Sequence, residues 1–265
     1  MPRFTTSEPI GVTLDVSFGT VQITANDRHE AVVQVLPTDP TSHKDVKAAE
    51  RTLVEYAGGR LRVTDPGVES RAWLGRGGSI RVMLDVPTGS DLNARIAAAA
   101  DLSCDGRLGQ VRIHSAHGHV QLGEADTIDV KADSGDVVVG LVHADARAET
   151  TYRHIRIGTV AGALRAESGS GEIAVEHAHA DVTASSKYGN IRIGEVVRGT
   201  VTLECGSGQM ELGVSEGVTA HLDVDAKHGT VRNLLDERAS ATDTVDVRAV
   251  SLHGNILIRR THPRS

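Results

Sequence analysis

Gly171-Glu172-Ile173-Ala174-Val175, Gly189-Asn190-Ile191-Arg192-Ile193 and Gly208-Gln209-Met210-Glu211-Leu212 repeat one unit: glycine, polar, apolar, polar, apolar. Upstream the unit reads Gly118-His119-Val120-Gln121-Leu122, Gly135-Asp136-Val137-Val138-Val139 and, with arginine in the glycine slot, Arg153-His154-Ile155-Arg156-Ile157. Downstream it reads Gly229-Thr230-Val231-Arg232-Asn233 and Gly254-Asn255-Ile256-Leu257-Ile258. Successive units begin 17, 18, 18, 18, 19, 21 and 25 residues apart. Self-similarity at such a period is the mark of a stacked repeat architecture. A second alternating segment lies between neighbouring units, for example Leu164-Arg165-Ala166, Val182-Thr183-Ala184 and Val201-Thr202-Leu203-Glu204-Cys205. Apolar residues recur with period two in both segments, so each is a strand with one buried and one wet face.

Each repeat is therefore strand, turn, strand, turn, and the expected fold is all-β: a parallel β-solenoid of eight rungs of about eighteen residues. A single rung buries too few small aliphatic side chains to offset the ordering of its own chain, so rungs are stable only when stacked. The crossover preference predicts a right-handed coil. Glycine in the first turn is expected to supply a positive φ at a tight corner, which leaves Arg153 with either a backbone penalty or a locally different turn. The second turn opens on Gly123, Gly140, Gly158, Gly194 or Gly213 and then directs an apolar residue inward, such as Val142, Val160 or Val196. A hexapeptide solenoid would need an apolar residue at every sixth position. The series Ile128, Ser134, Gly140, Ala146 does not supply it.

Composition agrees with thin layers. Hydrophobic residues make up 39% of the 265 positions but aromatics only 2%, so the core is expected to consist of Val, Ile, Leu and Ala. Glycine is frequent (28) and proline rare (7), which fits many tight turns between paired strands. A net charge of −7 disfavours nucleic acid as a partner. No apolar run is long enough for a membrane span. The opening Met1-Pro2-Arg3-Phe4-Thr5 has no apolar signal core, and the expected compartment is the cytoplasm. Cys104 and Cys205 fall several rungs apart, beyond disulfide reach, and read as small buried hydrophobes.

The domain reading is a β-rich N-terminal cap over residues 1–90, continuous with a solenoid over 91–265. In the cap, Val12, Leu14 and Val16 alternate, Phe18-Gly19 turns, and Val21 and Ile23 follow as a hairpin-like precursor of the repeat. Ser42 is placed to cap a short helix to about Arg51. Leu53–Tyr56, Gly58-Gly59 and Leu61–Val63 read as a hairpin, and Ile80–Val86 as a strand stopped by Pro87. Pro66–Gly78 reads as a mobile loop. Residues 234–244 form a polar insertion before a final hairpin, expected to cover the last rung.

Candidate chemistry is sparse. His114, His117 and His119 lie close in sequence, as do His177 and His179. Stacking places His119, Asp136, His154, Glu172, Asn190 and Gln209 in one column, which could share an ion but reads more simply as a solvated ladder of alternating sign. No Cys-x-x-Cys or His-Glu-x-x-His spacing is present, and no metal site is assigned. Trp73-Leu74-Gly75-Arg76-Gly77-Gly78 is glycine-rich but precedes a strand instead of a helix, so it is not a phosphate loop. An exposed Trp73 would be a partner contact. No Gly-x-Ser-x-Gly elbow occurs, and the rungs leave no room for the cleft of a polysaccharide-cleaving β-helix. No catalytic residue or cofactor is assigned, and no enzyme activity is expected.

The Gly-x-[Val/Ile]-x-[Val/Ile] rungs resemble the bacterial putative-adhesin β-strand-repeat family. Glu8-Pro9-Ile10-Gly11-Val12-Thr13-Leu14, Val54-Glu55-Tyr56 and Gly106-Arg107-Leu108-Gly109 are similar to its actinobacterial, signal-less branch. The resemblance implies the β-repeat architecture and an adhesin-like role without catalytic residues. The expected function is a non-catalytic binding or scaffold module with a protein partner. The alternatives are a self-assembling cytoskeletal element like the bactofilins, or an enzyme.

Overall fold

A computed structural model describes residues 2–6, 8–66, 77–235 and 243–261. The chain divides into two compact units, Met1–Val138 and Val139–Ser265. Among the described residues there is one helix, and the rest of the regular structure is strand. The fold is a parallel β-solenoid.

The first unit contains β1 (Arg3–Thr5), β2 (Gly11–Asn26), β3 (Glu30–Pro37), helix α1 (His43–Arg51), β4 (Leu53–Ala57), β5 (Arg60–Thr64), β6 (Ile80–Pro87), β7 (Asp91–His117) and β8 (Val120–Ser134). Its layers are parallel. Gly11–Asp15 of β2 lies between β5 and Asp91–Arg95 of β7, while the second half of β2 lies between β6 and the middle of β7. The end of β7 pairs with β8 in the same sense. Val12, Leu14, Val16, Val21 and Ile23 are buried, so this early segment forms a complete layer. β3 runs antiparallel to β6, β1 antiparallel to β3, and β4 antiparallel to β5 around Gly58-Gly59. Both turn glycines have positive φ, as the hairpin reading requires. Helix α1 is capped as expected, with the Ser42 hydroxyl accepting from the Asp45 N–H.

β9 (Val137–Val142) spans the boundary between the units. The second unit continues with β10 (Ala146–Thr150), β11 (Ile155–Val160), β12 (Leu164–Ser170), β13 (Ile173–Ala178), β14 (Val182–Tyr188), β15 (Ile191–Val196), β16 (Gly199–Ser207), β17 (Met210–Val214), β18 (Val218–His228), β19 (Val231–Leu234), β20 (Asp243–His253) and β21 (Ile256–Arg260). One strand of every rung stacks as β10-β12-β14-β16-β20-β18 and the other as β11-β13-β15-β17-β21-β19, all parallel. The register aligns aliphatic columns. Ile155, Ile173, Ile191, Met210 and Ile256 form one, and Ile157, Val175, Ile193, Leu212 and Ile258 another, all buried. This is the thin core that the scarcity of aromatics implies.

The stacking order corrects the sequence reading at its last step. The rung of β20 and β21 does not follow that of β18 and β19; it is inserted before it, next to β16 and β17. Asn233 supplies the physical reason. It aligns with Ile258 at an inward, aliphatic position, where enclosure would strand an amide without partners. In the outermost described layer Asn233 is exposed, along with Val231 and Leu234. Of residues 234–244, expected to cover the last rung, Leu234 ends β19, Asp243 and Thr244 open β20, and 236–242 lie outside the described residues, as does most of Pro66–Gly78. β20 and β21, expected as a final hairpin, instead each pair in parallel with strands of other rungs.

The glycine column holds, but positive φ is not its common cause. Gly135 lacks a left-handed backbone, and Gly254 has φ +145°. What they share is close approach. A Cβ on Gly135 would lie 1.9 Å from the carbonyl oxygen of Gly118, and one on Gly254 would lie 1.8 Å from that of Gly208. Arg153 sits in a locally different turn of the same length: the chain bends over Thr151–Arg153, whereas the aligned Gly169 and Ser170 still belong to β12.

Candidate functional site

The outward corner beside the glycines is a ladder of side-chain acceptors. Asp101 Oδ1 accepts from the His119 N–H at 2.8 Å, and His119 Nδ1 from the Asp136 N–H at 3.3 Å. His154 Nδ1 accepts from Glu172 at 3.0 Å, Asn190 Oδ1 from Gln209 at 2.9 Å, and Asn255 Oδ1 from Thr230 at 3.0 Å. The column read from the sequence is present, but these members bond to the main chain of the next layer. Each N–H would otherwise be left at a corner where the strand pairing stops. The opposite turn repeats the device with aspartates that the sequence reading missed. Asp91, Asp145 and Asp181 accept from the N–H groups of Gln110, Ala163 and Thr200 at 2.8, 2.9 and 2.7 Å. An aspartate recurring at the start of the rung was the available signal.

Inside the glycine corner runs a column of small polar residues. Ser168, Ser186, Cys205 and Ser251 are in register and buried. The Ser168 hydroxyl donates to the Arg153 carbonyl, the Ser186 hydroxyl to that of Gly171, and the Cys205 thiol to that of Gly189, each at 3.3 Å. Cys205 therefore occupies a serine slot. Both thiols are free and buried. Burial, with a smaller contribution from the Asp105 charge, pushes the Cys104 thiol up to about 12, and burial also raises Cys205. Neither is a nucleophile near neutral pH.

The outer faces carry paired charges. Arg147 pairs with Glu149, and Arg165 Nε with Glu167 at 2.6 Å. Glu211 takes Arg259 at 2.8 Å and Arg192 at 3.6 Å. His177 Nδ1 lies 3.0 Å from Glu195. Such exposed pairs contribute under about 1 kcal/mol each, so they shape the surface more than they stabilise it. For Glu195, burial acts to raise the carboxyl, but hydrogen bonds from Ser215, Thr261 and His177 outweigh it and hold the group below the usual carboxylate range.

Beside the acceptor ladder, position by position, the corner presents Tyr152, Ser170, Tyr188, Ser207, His253 and His228. The last four steps follow from the strand register. Tyr152 joins them because Thr151 and Arg153 abut Gly169 and Gly171. Tyr152 and Tyr188 are 66% and 68% exposed. His228 stacks on His253 with ring centroids 4.8 Å apart.

His114, His117 and His119 are exposed along the end of β7 and its turn; His177 and His179 are exposed at the other corner. Among the described residues no group of three His, Cys, Asp or Glu side chains could hold a metal ion, and no helix is long and apolar enough to cross a membrane. Trp73 lies outside the described residues.

Among solved structures, the chain is similar to a “putative adhesin” from Bacteroides fragilis at 12% identity, covering 98% of this chain and 95% of that one with a TM-score of 0.47. A “putative adhesin” from Parabacteroides distasonis matches at 11% identity, 97% and 95% coverage and a TM-score of 0.40. A “putative lipid binding protein” from the same species matches at 12% identity, 98% and 96% coverage and a TM-score of 0.45. No curated protein matches. The family model described as Toastrack DUF4097 matches residues 12–259, nearly the whole repeat array, and the chain belongs to that family.

Proposed function

We propose that the protein is a non-catalytic binding scaffold, adhesin-like in the sense of presenting a surface to a protein partner. The observation that carries this reading is how the polar groups are used. The corner acceptors are bound to main-chain N–H groups, the inner Ser168 and Ser186 hydroxyls to carbonyls, and the outer charges largely to one another. Both thiols are buried and held protonated, so neither is an activated nucleophile. What remains is a set of rigid layers bearing regular polar faces, which suits recognition. We also propose a cytoplasmic location, with which two buried free thiols are compatible. Cross-linking in cells followed by purification of the intact chain tests the reading. A reproducible protein partner is expected, weakened by R147E/R165E. Recovery of the chain alone, together with turnover of a metabolite, would overturn it.

A self-assembling element is favoured by one observation. Among the described residues β18 and β19 each pair on one side only, and Leu222 and Val224 in that layer are half-exposed. An open parallel edge is a template for further strands. Electron microscopy of the concentrated protein decides this: filaments are expected if that edge polymerises, and discrete particles alone would exclude it.

A further inference from the structure

The exposed corner of the second unit has a two-rung period that the packing does not require. Tyr152, Tyr188 and His253 place a ring on every second layer, and Ser170 and Ser207 fill the layers between. Each ring is followed two residues later by a short acceptor tied to the next layer: His154, Asn190 and Asn255. Each serine is followed instead by a longer side chain, Glu172 or Gln209, which makes no side-chain hydrogen bond or ion pair among the described residues. Rings on adjacent layers would be tolerated, because His228 and His253 stack at 4.8 Å in this column. The serines are therefore spacers that packing does not demand. Nor do the tyrosines serve the core: they are the only tyrosine, tryptophan or phenylalanine residues after position 90, and each is about two-thirds exposed.

We propose that this corner binds an extended β-1,4-linked polysaccharide, whose alternate sugars stack on Tyr152, Tyr188 and His253. Rings two layers apart are separated by about 9.5 Å, twice the strand spacing. A β-1,4-linked glycan turns each sugar over relative to the last, so the same flat C–H face recurs once per disaccharide, at a length of that order. An aromatic ring offers a flat apolar face to such a surface. Glu172 and Gln209 lie on the layers between the rings, where a hydroxyl-rich ligand needs acceptors and donors. The layers hold the rings in place before the ligand arrives, so little ordering is lost on binding. Several weak stacking contacts on one polymer then act together. The site goes beyond the scaffold reading, which uses the flat faces and a protein partner.

Affinity electrophoresis of the full chain in native gels containing hydroxyethylcellulose, soluble xylan or dextran tests the site. Retardation is expected in the two β-1,4-linked polymers and not in the α-linked dextran. Y152A/Y188A is expected to weaken retardation at least about tenfold, while Y152F/Y188F retains it. Both residues are exposed, so an unchanged thermal midpoint in each variant shows that the stack is intact. Three results would overturn the proposal: no retardation in either β-linked polymer, equal retardation in dextran, or undiminished binding by Y152A/Y188A. Loss of a co-purifying protein by that variant, without any polysaccharide effect, would also overturn it and leave the scaffold reading standing.

Discussion

A single methyl group tests the closeness of the layers. In Gly254→Ala the new Cβ would sit 1.8 Å from the Gly208 carbonyl oxygen, which belongs to backbone that cannot swing aside. Relief requires separating two layers, and the φ of +145° adds strain. The expected cost is about 3 kcal/mol, at the upper end for a small substitution, measured as a shift in the urea midpoint. Glycine was legible at this position from the repeat alone, but its cause was not, because the neighbouring carbonyl belongs to a residue distant in sequence. Cys205 shows the converse. Read alone it is a small hydrophobe, and only the register with Ser168 and Ser186, whose hydroxyls donate to carbonyls, reveals a donor position. Cys205→Ser is therefore expected to change stability by less than about 0.5 kcal/mol. Cys205→Leu, overfilling the corner, should cost about 1–3 kcal/mol. Equal loss in both variants would contradict the donor reading.

At the scale of the element, the inserted rung of β20 and β21 is held by contacts that skip a layer. β17 leads to β18 through Ser215–Gly217, and the slot this leaves is filled from later in the chain. Arg260 Nη1 donates to the carbonyls of Ser215 and Val218 at 3.0 and 2.7 Å, and the Thr261 hydroxyl donates to Glu195 at 2.9 Å. The Glu195 carboxyl is held below its usual range by these partners. Its folded form thus binds a proton less readily than the unfolded chain. The stabilisation it gives is present above the ordinary glutamate value, about 4.3, and is lost as the pH falls through the lower folded value. Glu195→Gln is expected to flatten the acid limb of stability against pH below that point, followed by thermal midpoints in a buffer series. An unchanged acid limb would show that the pin at Thr261 contributes nothing. The same slot geometry recurs in the first unit. Thr88–Ser90 links β6 to β7 while β2 lies between their layers, and the buried Ser90 accepts from the Ile10 N–H and donates to the Pro87 carbonyl. Both linkers carry a glycine of positive φ, Gly89 at +80° and Gly217 at +78°.

For the molecule as a whole, the repeat period made the architecture and the aliphatic columns readable, because periodicity is a local property summed over many rungs. The order of layers was less readable, since it depends on which segments tolerate an open face. Asn233, in a slot held elsewhere by Ile157, Val175, Ile193, Leu212 and Ile258, was the one residue that signalled it. The ring column was visible as letters, but its two-rung period appears only when His253 is placed beside Ser207, which needs the inserted order. That order makes a further expectation distinct from simple stacking. If layers followed the sequence, ending the chain after residue 235 would remove one outer layer and leave β18 paired to β16. In the observed order it removes the strands that β18 and β19 pair with among the described residues, so two layers lose their pairing at once. The truncated chain is expected to show a urea m-value lowered by about two rungs' worth of buried surface, with amide protection lost across 218–234. Retained protection there, with a one-rung fall in the m-value, would mean that β18 can dock on β16, and that β20 and β21 displace a pairing the chain can otherwise form.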